Sequence, residues 1–300
     1  MKVVFFNHHH NGDIHVARSF VREIMKKEPN VSFSFTHKNS RNLLADIPSL
    51  KYDANSINTI KDEQISLFNK GDTYYFNTWY CQSQYKYYRM YGLTLDALYA
   101  AFDNNCKNLW GWSLKDISSD PSIFIPTIDY SKFQIENAKS WIDDHLEKKI
   151  FVSNGKVLSG QAAPFELTSM IIDIANKHTD KTFILSNKEN DKKLPNNVVY
   201  SSDLIKKEGC DLNENAFLTE HCDLIVGKAS GALTFSLNQV NLLKRNVKLL
   251  NFVTLQSVVP KQGKLWLDNL LFDKINYSAN TITSTEQDAN KIKQLIEENL

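Results

Sequence analysis

The chain has 300 residues and a formal net charge of +1 at pH 7, from 35 Lys and Arg residues against 34 Asp and Glu residues. A dedicated nucleic-acid-binding protein presents a strongly basic surface, so this balance excludes that class and we expect no nucleic-acid partner. Hydrophobic residues make up 42% of the chain, which excludes intrinsic disorder, and the chain is long enough for two hydrophobic cores.

The first half of the chain alternates between strand-like and helix-like segments. Apolar runs bounded by turn-forming residues predict strands at 3–6, 31–35 and 72–79. Apolar residues at helical spacing predict helices at 14–25, 93–102 and 133–148. Between them we expect a short amphipathic piece at 42–50 and a connecting helix or loop at 56–68.

The second half restarts the same alternation with a buried strand. Strands are predicted at 149–153, 182–185, 198–200, 223–226 and 248–252, the last of which closes the sheet. Helices are predicted at 166–176, 213–222, 231–239 and 286–298. The pattern favours an α/β chain of two parallel-sheet domains, 1–148 and 149–300, with the last helix a candidate to pack back on the first domain.

The cysteines and the start of the chain bear on its location. The four cysteines are far apart and form no CxxC pair, which favours a reducing compartment over a disulfide or zinc framework: Cys81, Cys106, Cys210 and Cys222. The start lacks the pattern of a signal peptide, and no apolar run approaches the roughly 20 residues of a membrane span. We therefore expect a cytoplasmic protein, with peripheral membrane association left open.

The turn after the first strand is rich in polar chemistry. It holds His8, His9 and His10, followed by Gly12 and Asp13 at the start of a helix. In an open parallel sheet such a turn lies at the carboxyl end of a strand, where ligands bind. Asp13 or one of the histidines is then a candidate general base. The alternative is that Asp13 only caps the helix and the histidines are solvated, and the two interpretations weigh about equally. Adjacent histidines point in different directions, so we expect no metal here.

Two glycine-bearing loops in the second half follow predicted strands. One contains Asn154, Gly155 and Lys156, and the other runs from Lys228 through further candidates for phosphate contacts, Ser230, Gly231 and Thr234. Glycines let the backbone approach a ligand, and free N–H groups at a helix start attract phosphate oxygens. Either loop alone is as well explained by an ordinary α/β connection. Two of them in one half indicate a ligand that carries a diphosphate.

The segment 74–91 interleaves tyrosines with amide side chains. Asn77, Trp79 and Gln82 are the candidates to bind an acceptor, because sugar rings stack on aromatic faces while their hydroxyls bond to amides. Core packing explains about half of this aromatic run equally well.

With these residues in place, the chain resembles the GT-B glycosyltransferases, and most closely their heptosyltransferase-like family nine. The match is a strand, Gly12-Asp13 and an amphipathic helix in the first half, and a strand followed by Ser230-Gly231 in the second. The resemblance implies two Rossmann-like domains facing a cleft, with Asp13 as catalytic base and Lys156, Ser230 and Gly231 at the donor diphosphate. The family has an aspartate where this chain has Lys228-Ala229, and its following histidine has no counterpart beyond Thr234, so the donor need not be an ADP-heptose.

These observations lead to one expected activity and two alternatives. We expect a glycosyltransferase of polysaccharide biosynthesis that moves a hexosyl, heptosyl or pentosyl group from a nucleotide-diphosphate sugar to a hydroxyl of a glycan or lipid-linked acceptor. A single displacement inverts the anomeric configuration, and lysines with helix N–H groups replace a metal, so we expect neither metal nor cofactor. The alternatives are a GT-B-like nucleotide-sugar epimerase or hydrolase, and a non-catalytic scaffold protein of glycan assembly.

Overall fold

The computed structural model describes residues 1–38, 41–79, 91–155, 165–189, 191–254 and 271–300. It divides into two compact units. The first comprises Met1–Thr127 and a returning segment that ends at Ile275, and the second comprises Ile128–Ser257 and Asn276–Leu300. Residue 148, where the sequence placed the domain boundary, therefore lies inside the second unit.

The first unit is built on a five-stranded sheet in which β1 is central. The sheet order is β3-β2-β1-β5-β4, and all neighbours are parallel except β4, which is antiparallel to β5. The strands are β1 (Lys2–Asn7), β2 (Ser32–His37), β3 (Lys51–Tyr52), β4 (Leu67–Lys70) and β5 (Thr73–Asn77). The interpretation of 56–68 as only a helix or loop is wrong at its end, because β4 begins there.

The hairpin between β4 and β5 turns at Gly71, whose φ of +58° falls in the left-handed region that glycine adopts without strain. The helices of this unit are α1 (Asn11–Lys27) and α2 (Tyr91–Trp110), and short 3₁₀ helices are formed by Ser56–Thr59, Leu114–Asp116 and Pro121–Phe124. Segment 42–50 forms consecutive turns, and it is amphipathic as predicted, with Leu43, Leu44 and Ile47 buried.

The central part of α1 is buried on all sides, since every residue from 14 to 21 is buried, and its apolar residues pack against aromatic side chains. Phe20 is fully buried, stacks on Phe124 with ring centroids 4.7 Å apart, and packs on Phe102 at 5.0 Å. Aromatic pairs at such distances add stabilisation beyond the area that they bury. The packing fixes α1, and with it the turn that precedes it.

A buried ion pair ties α1 to the turns at 42–50. Arg18 Nη1 lies 3.1 Å from Asp46 Oδ1, and both side chains are fully buried. Arg22 Nη2 lies 3.0 Å from the other oxygen, Asp46 Oδ2. Arg18 Nη2 also donates to the carbonyl of Leu43 at 2.5 Å. The Asp46 carboxylate thus pairs with both guanidinium groups and ties segment 42–50 to α1.

The second unit is built on a six-stranded sheet whose neighbouring strands are all parallel. Its order is β11-β10-β9-β6-β7-β8. The strands are β6 (Lys148–Ser153), β7 (Lys181–Leu185), β8 (Val198–Tyr200), β9 (Leu224–Lys228), β10 (Lys248–Phe252) and β11 (Asn280–Ser284). The prediction that 248–252 closes the sheet is wrong, since β11 continues it with Lys248 in register with Asn280.

The strand order of the second sheet is that of a dinucleotide-binding fold. Numbered from β6, the order across the sheet is 3-2-1-4-5-6, so the chain changes direction between β6 and β9. Ligands of such sheets bind beyond the carboxyl ends of the two strands at this reversal. We call the residues that follow β6, β7 and β9 at this end the carboxyl edge.

Helices cover the second sheet. They are α3 (Glu136–Asp144), α4 (Leu167–Lys177), α5 (Ser201–Ile205), α6 (Leu212–Thr219), α7 (Gly231–Thr234) and α8 (Ala289–Glu297). The last helix, α8, packs on α4 of the same unit, where Ile292 and Ile296 join the core formed by Ile171 and Ile174.

The helix predicted at 231–239 ends at Thr234. Side chains beyond that point bond to the backbone: Ser236 Oγ donates to the carbonyl of Leu233 at 2.6 Å, and Asn238 Oδ1 accepts from the backbone N–H of Asn241. Such local bonds compete with helix propagation. A π-helical turn, Val240–Lys244, then leads towards β10.

Glu220, at the end of α6, makes the stability of the protein depend on pH. It accepts a hydrogen bond from Tyr130 Oη, and burial raises its pKa from the ordinary 4.5 to about 7 despite that bond and the charges of Arg245 and Lys244. The folded protein therefore binds this proton more tightly than the unfolded chain does. We expect the free energy of unfolding to fall as the pH rises from 4.5 to 7 and to level off above it.

Urea denaturation of wild type and of Glu220→Gln at pH 5 and pH 8 measures this dependence. The variant keeps an acceptor for Tyr130. Its free energy of unfolding should fall less between the two pH values than that of the wild type does. Glu208→Gln, at an exposed carboxylate in the same unit, is the matched control and should leave the decline unchanged. If the free energy of unfolding of Glu220→Gln falls as much as that of the wild type, Glu220 is not the source of the pH dependence.

Candidate active site

The central strands of the first sheet end in two matching turns. Asn7 Oδ1 accepts a hydrogen bond from the backbone N–H of His9 at 2.9 Å, and Asn77 Oδ1 accepts one from Trp79 at 2.9 Å. Such asparagine turns set the direction in which the chain leaves a strand. Because β1 and β5 are adjacent and parallel, the two turns bring the rings of His9 and Trp79 into a stack, with centroids 3.5 Å apart.

A carboxylate that sequence reasoning missed lies beside the first histidine. The side chain of His8 is 2% exposed, and its Nδ1 is 3.5 Å from Glu63 Oε1. Glu63 also forms an ion pair with Lys38, which follows β2. No motif in the loop that carries Glu63 indicates a role for this carboxylate, so only the tertiary contact reveals it.

Burial keeps these imidazoles neutral near pH 7. It lowers the pKa of His9 to about 4 and that of His37, whose Nε2 lies 2.9 Å from the carbonyl oxygen of His9, also to about 4. Burial, helped by Lys38, lowers the pKa of His8 as well. A neutral imidazole can accept a proton, but a ring with a pKa near 4 is no stronger a base than a carboxylate.

Asp13 lies in the first turn of α1, as its third residue, three positions after the N-cap residue His10. Its Oδ2 accepts a hydrogen bond from the backbone N–H of His10 at 3.0 Å, and its own N–H donates to the carbonyl of His10 at 3.0 Å. This reciprocal pair fixes the carboxylate at a helix N-terminus, which favours negative charge. His10 itself is exposed.

The predicted acceptor residues fall into different environments. Asn77 is fully buried, and its Nδ2 donates to the carbonyls of Glu63 at 2.9 Å and Ile65 at 2.8 Å. Its amide therefore holds the Glu63 loop against β5. Trp79 is half-buried, with its ring on His9. Gln82 lies outside the described residues.

At the carboxyl edge of the second sheet, Asn154 joins the end of β6 to the loop after β7. It is 6% exposed, its Oδ1 accepts from the backbone N–H of Asn187 at 2.8 Å, and its Nδ2 donates to Thr168 Oγ1 at 3.0 Å. Gly155 follows it, and Lys156 lies outside the described residues. The predicted loop is thus anchored to two neighbouring elements.

The same network contains Glu189, which sequence reasoning missed. Thr168 Oγ1 donates to Glu189 Oε1 at 2.6 Å, and Tyr200 Oη donates to its backbone carbonyl at 2.8 Å. Glu189 follows β7, the second strand of its sheet. In dinucleotide-binding folds an acidic residue placed after the second strand binds ribose hydroxyls, and this signal could have identified it.

The four remaining candidates surround the end of β9. Lys228 is 9% exposed, and its Nζ, which carries three N–H groups, donates to the carbonyl of Phe165 at 3.0 Å. Burial lowers its pKa, against the attraction of nearby glutamates. Ser230 Oγ caps α7 by accepting from Leu233, and Thr234 Oγ1 donates to the carbonyl of Ser230. Gly231 is the first residue of this single-turn helix.

One position at this edge requires glycine, because β9 lies very close to its neighbours there. A Cβ atom on Gly227 would lie 2.8 Å from Ser153 Cβ and 2.9 Å from Leu233 Cδ1. Ser153 Cβ cannot rotate away, so the strands or α7 would have to move. We expect Gly227→Ala to lower the free energy of unfolding by about 1–3 kcal/mol, the usual cost of overpacking.

Gly155→Ala is the matched control for this prediction. It lies at the neighbouring strand end, where the added Cβ would meet nothing nearer than Asn187 Cβ at 3.8 Å. Urea denaturation should separate the two variants, with Gly155→Ala close to wild type. Equal stability of both variants would show that β9 yields easily at this point.

The part of the chain that the structure describes contains neither a cluster of metal-ligating residues nor a membrane-spanning helix. Within it, no group of three or more His, Cys, Asp or Glu residues is arranged to hold a metal ion. None of its helices combines the length and the apolar character needed to cross a bilayer.

Comparison with known proteins supports the fold. No model of a protein family matches the chain, and no curated protein matches its sequence. Among solved structures, the E. coli heptosyltransferase WaaC with ADP is 9% identical, with a TM-score of 0.52 over 100% of this chain and 98% of that one. The same enzyme with ADP-2-deoxy-2-fluoro heptose is 11% identical, with a TM-score of 0.52 over the whole of both chains.

A glycosyl transferase of family 9 from Veillonella parvula DSM 2008 is 12% identical, with a TM-score of 0.50 over 100% of this chain and 90% of that one. At these identities the likeness concerns the fold. It confirms the predicted α/β fold with two Rossmann-like halves and the predicted structural resemblance to family nine.

Proposed function

We propose that this protein is a glycosyltransferase that moves a sugar from a nucleotide-diphosphate sugar to a hydroxyl of a glycan or lipid-linked acceptor. The observation that carries the proposal is the reversal of strand order between β6 and β9, with Asn154, Glu189 and Lys228 at the carboxyl edge. The fold shared over the full chain with the heptosyltransferase WaaC, which is solved both with ADP and with an ADP-sugar, supports the same activity.

In this proposal the carboxyl edge binds the donor. Glu189 accepts hydrogen bonds from the ribose hydroxyls, since a carboxylate has acceptor capacity beyond its bond from Thr168. Lys228 and the N–H groups near Ser230 and Gly231 bind the diphosphate and stabilise its charge as the glycosidic bond breaks, and the sequence adds Lys156, which is outside the described residues, as a further candidate. These groups can take the part that a metal plays elsewhere, so the proposal contains no metal and no cofactor.

The first unit supplies the base and the acceptor surface. The acceptor hydroxyl attacks the anomeric carbon from the face opposite the diphosphate, which inverts its configuration, and a side chain takes the hydroxyl proton. We assign that role to Asp13, because the N–H of His10 orients its carboxylate whereas the ring of His8 is buried. The stacked rings of His9 and Trp79 offer a face for an acceptor sugar.

A thermal-shift panel tests the proposal. The probes are ADP-, UDP-, GDP-, CDP- and dTDP-sugars, each with its free diphosphate. A donor present at a hundred times its dissociation constant stabilises the protein by about 2.7 kcal/mol, so one nucleotide series should raise the melting temperature by several degrees. The absence of any response would contradict the proposal, and rapid consumption of the donor without an acceptor would favour an epimerase or hydrolase.

A further inference from the structure

A groove of about 700 Å³ opens in the second unit at the amino ends of the strands, the end opposite the carboxyl edge. Its floor is formed where the strands begin: Glu147 precedes β6, Thr182 is the second residue of β7, and Asn196 lies two residues before β8. Its walls come from α3, through Trp141, and from the end of α4, through Asn176. The proposed donor site uses none of these residues.

Hydrogen bonds fix the shape of this groove. Asn197 Nδ2 donates to the carbonyls of Ala175 and His178 at 3.1 Å and of Lys181 at 3.0 Å, which locks the end of α4 to the start of β7. Thr182 Oγ1 donates to Glu147 Oε1 at 2.6 Å. The groove is therefore preformed, so little conformational entropy is lost when a ligand binds.

One wall of the groove carries two aromatic rings that stack on each other. The rings of Trp141 and His145, one helical turn apart, stack with centroids 4.3 Å apart, and His145 Nδ1 lies 2.7 Å from the carbonyl oxygen of Trp141. Neither ring is fully buried. A rigid ring pair that is half accessible in a polar groove is a natural stacking surface for the C–H face of a sugar.

The polar groups that surround this wall have unused hydrogen-bonding capacity. The exposed side chains of Asn176, Thr179, Lys193 and Asn196 make no hydrogen bond within the described part of the chain. They offer both donors and acceptors. The charged groups of the lining, Glu147 and Lys193, have opposite signs, so the groove favours a neutral polyhydroxyl ligand over a diphosphate.

We propose that this groove is a second carbohydrate-binding site, which takes a short neutral oligosaccharide with one ring stacked on Trp141. Its hydroxyls bond to Asn176, Lys193, Asn196 and Glu147. The binding itself stands on the contacts of the groove alone. Only its purpose, to retain a growing glycan on the enzyme between transfers, rests on the proposed function.

Calorimetric titration of the full-length protein with neutral trisaccharides tests this site. The probes are maltotriose, mannotriose, galactotriose and chitotriose. At least one should bind with a stoichiometry of one, and Trp141→Ala should weaken its binding by about tenfold, as expected for the loss of an aromatic stacking partner. Asn196→Ala, at an exposed residue that cannot affect the core, should weaken it to a smaller extent.

Two controls match these variants. Leu146→Ala removes a side chain that is 91% exposed next to the α3 wall, and should leave binding unchanged. Lys192→Met controls for Lys193→Met, because Lys192 bonds to Ser169 outside the groove. Only Lys193→Met should weaken trisaccharide binding.

The results separate this proposal from the proposed function. Failure of all four trisaccharides to bind, or equal binding by wild type and a folded Trp141→Ala, overturns the groove proposal. Binding of pyrophosphate that is lost in Lys193→Met overturns it as well. If trisaccharide binding depends on Trp141 but no nucleotide sugar shifts the melting temperature, the groove proposal stands and the proposed transferase activity fails.

Discussion

Replacing Asp46 by alanine should lower the free energy of unfolding by about 3–5 kcal/mol, the usual cost of leaving a buried charge without its partner. The Asp46 carboxylate faces Arg18, which is fully buried, and Arg22, which is 17% exposed. Arg22 can turn towards water once the carboxylate is gone, whereas Arg18 cannot. The uncompensated Arg18 guanidinium therefore accounts for most of the expected loss.

Urea denaturation measures this loss, and a double variant tests its cause. Arg18→Met/Asp46→Leu removes both buried charges, so it should be more stable than Asp46→Ala alone. Glu23→Ala is the control on the same helix: it breaks the Glu23–Lys26 pair, whose lysine is 65% exposed, and should change stability by less than about 1 kcal/mol. If the double variant is the least stable of the three, the charge explanation is wrong.

Asp13→Asn should lower kcat about 10²- to 10⁴-fold, the contribution of a general base, while donor affinity stays unchanged. Asparagine keeps an oxygen that can accept from the N–H of His10, so the helix cap and the fold should persist. The assay is release of nucleoside diphosphate in the presence of donor and acceptor. Equal donor-induced thermal shifts of the two proteins show that the donor site is intact.

Histidine variants provide the comparison for this prediction. His10→Ala removes an exposed ring, and His8→Gln removes the buried ring beside Glu63. Both should keep more activity than Asp13→Asn. If His8→Gln or His10→Ala loses activity while Asp13→Asn retains it, the base is an imidazole and our assignment is wrong.

The strands that the sequence predicts correctly are the buried ones. β1, β6 and β9 are apolar runs that the core requires, and their positions follow from composition alone. β4 and β11 are short edge strands that the sequence does not reveal, because β4 carries only two apolar residues, Leu67 and Phe68, and β11 only one, Ile282. An edge strand is specified by its partner and hardly by its own side chains.

The residues of the candidate site also divide into those that the sequence predicts and those that it does not. Residues at strand ends, such as Asn154 and Lys228, could be placed from the order of the elements, because parallel strands bring their carboxyl ends together. Glu189 could have been placed in the same way, since it follows the second strand of its sheet. Glu63 could not, because its partner His8 lies far away in the sequence and only tertiary packing brings the two together.

The central claim is that the carboxyl edge of the second sheet binds a nucleoside diphosphate. Calorimetric titration with ADP, UDP, GDP, CDP and dTDP, each beside its monophosphate, tests it most directly. We predict that one diphosphate binds with a stoichiometry of one, at least about tenfold more tightly than its monophosphate, and is displaced by the corresponding nucleotide sugar. Equal affinities for the diphosphate and the monophosphate, or no binding by any of the five, would contradict it.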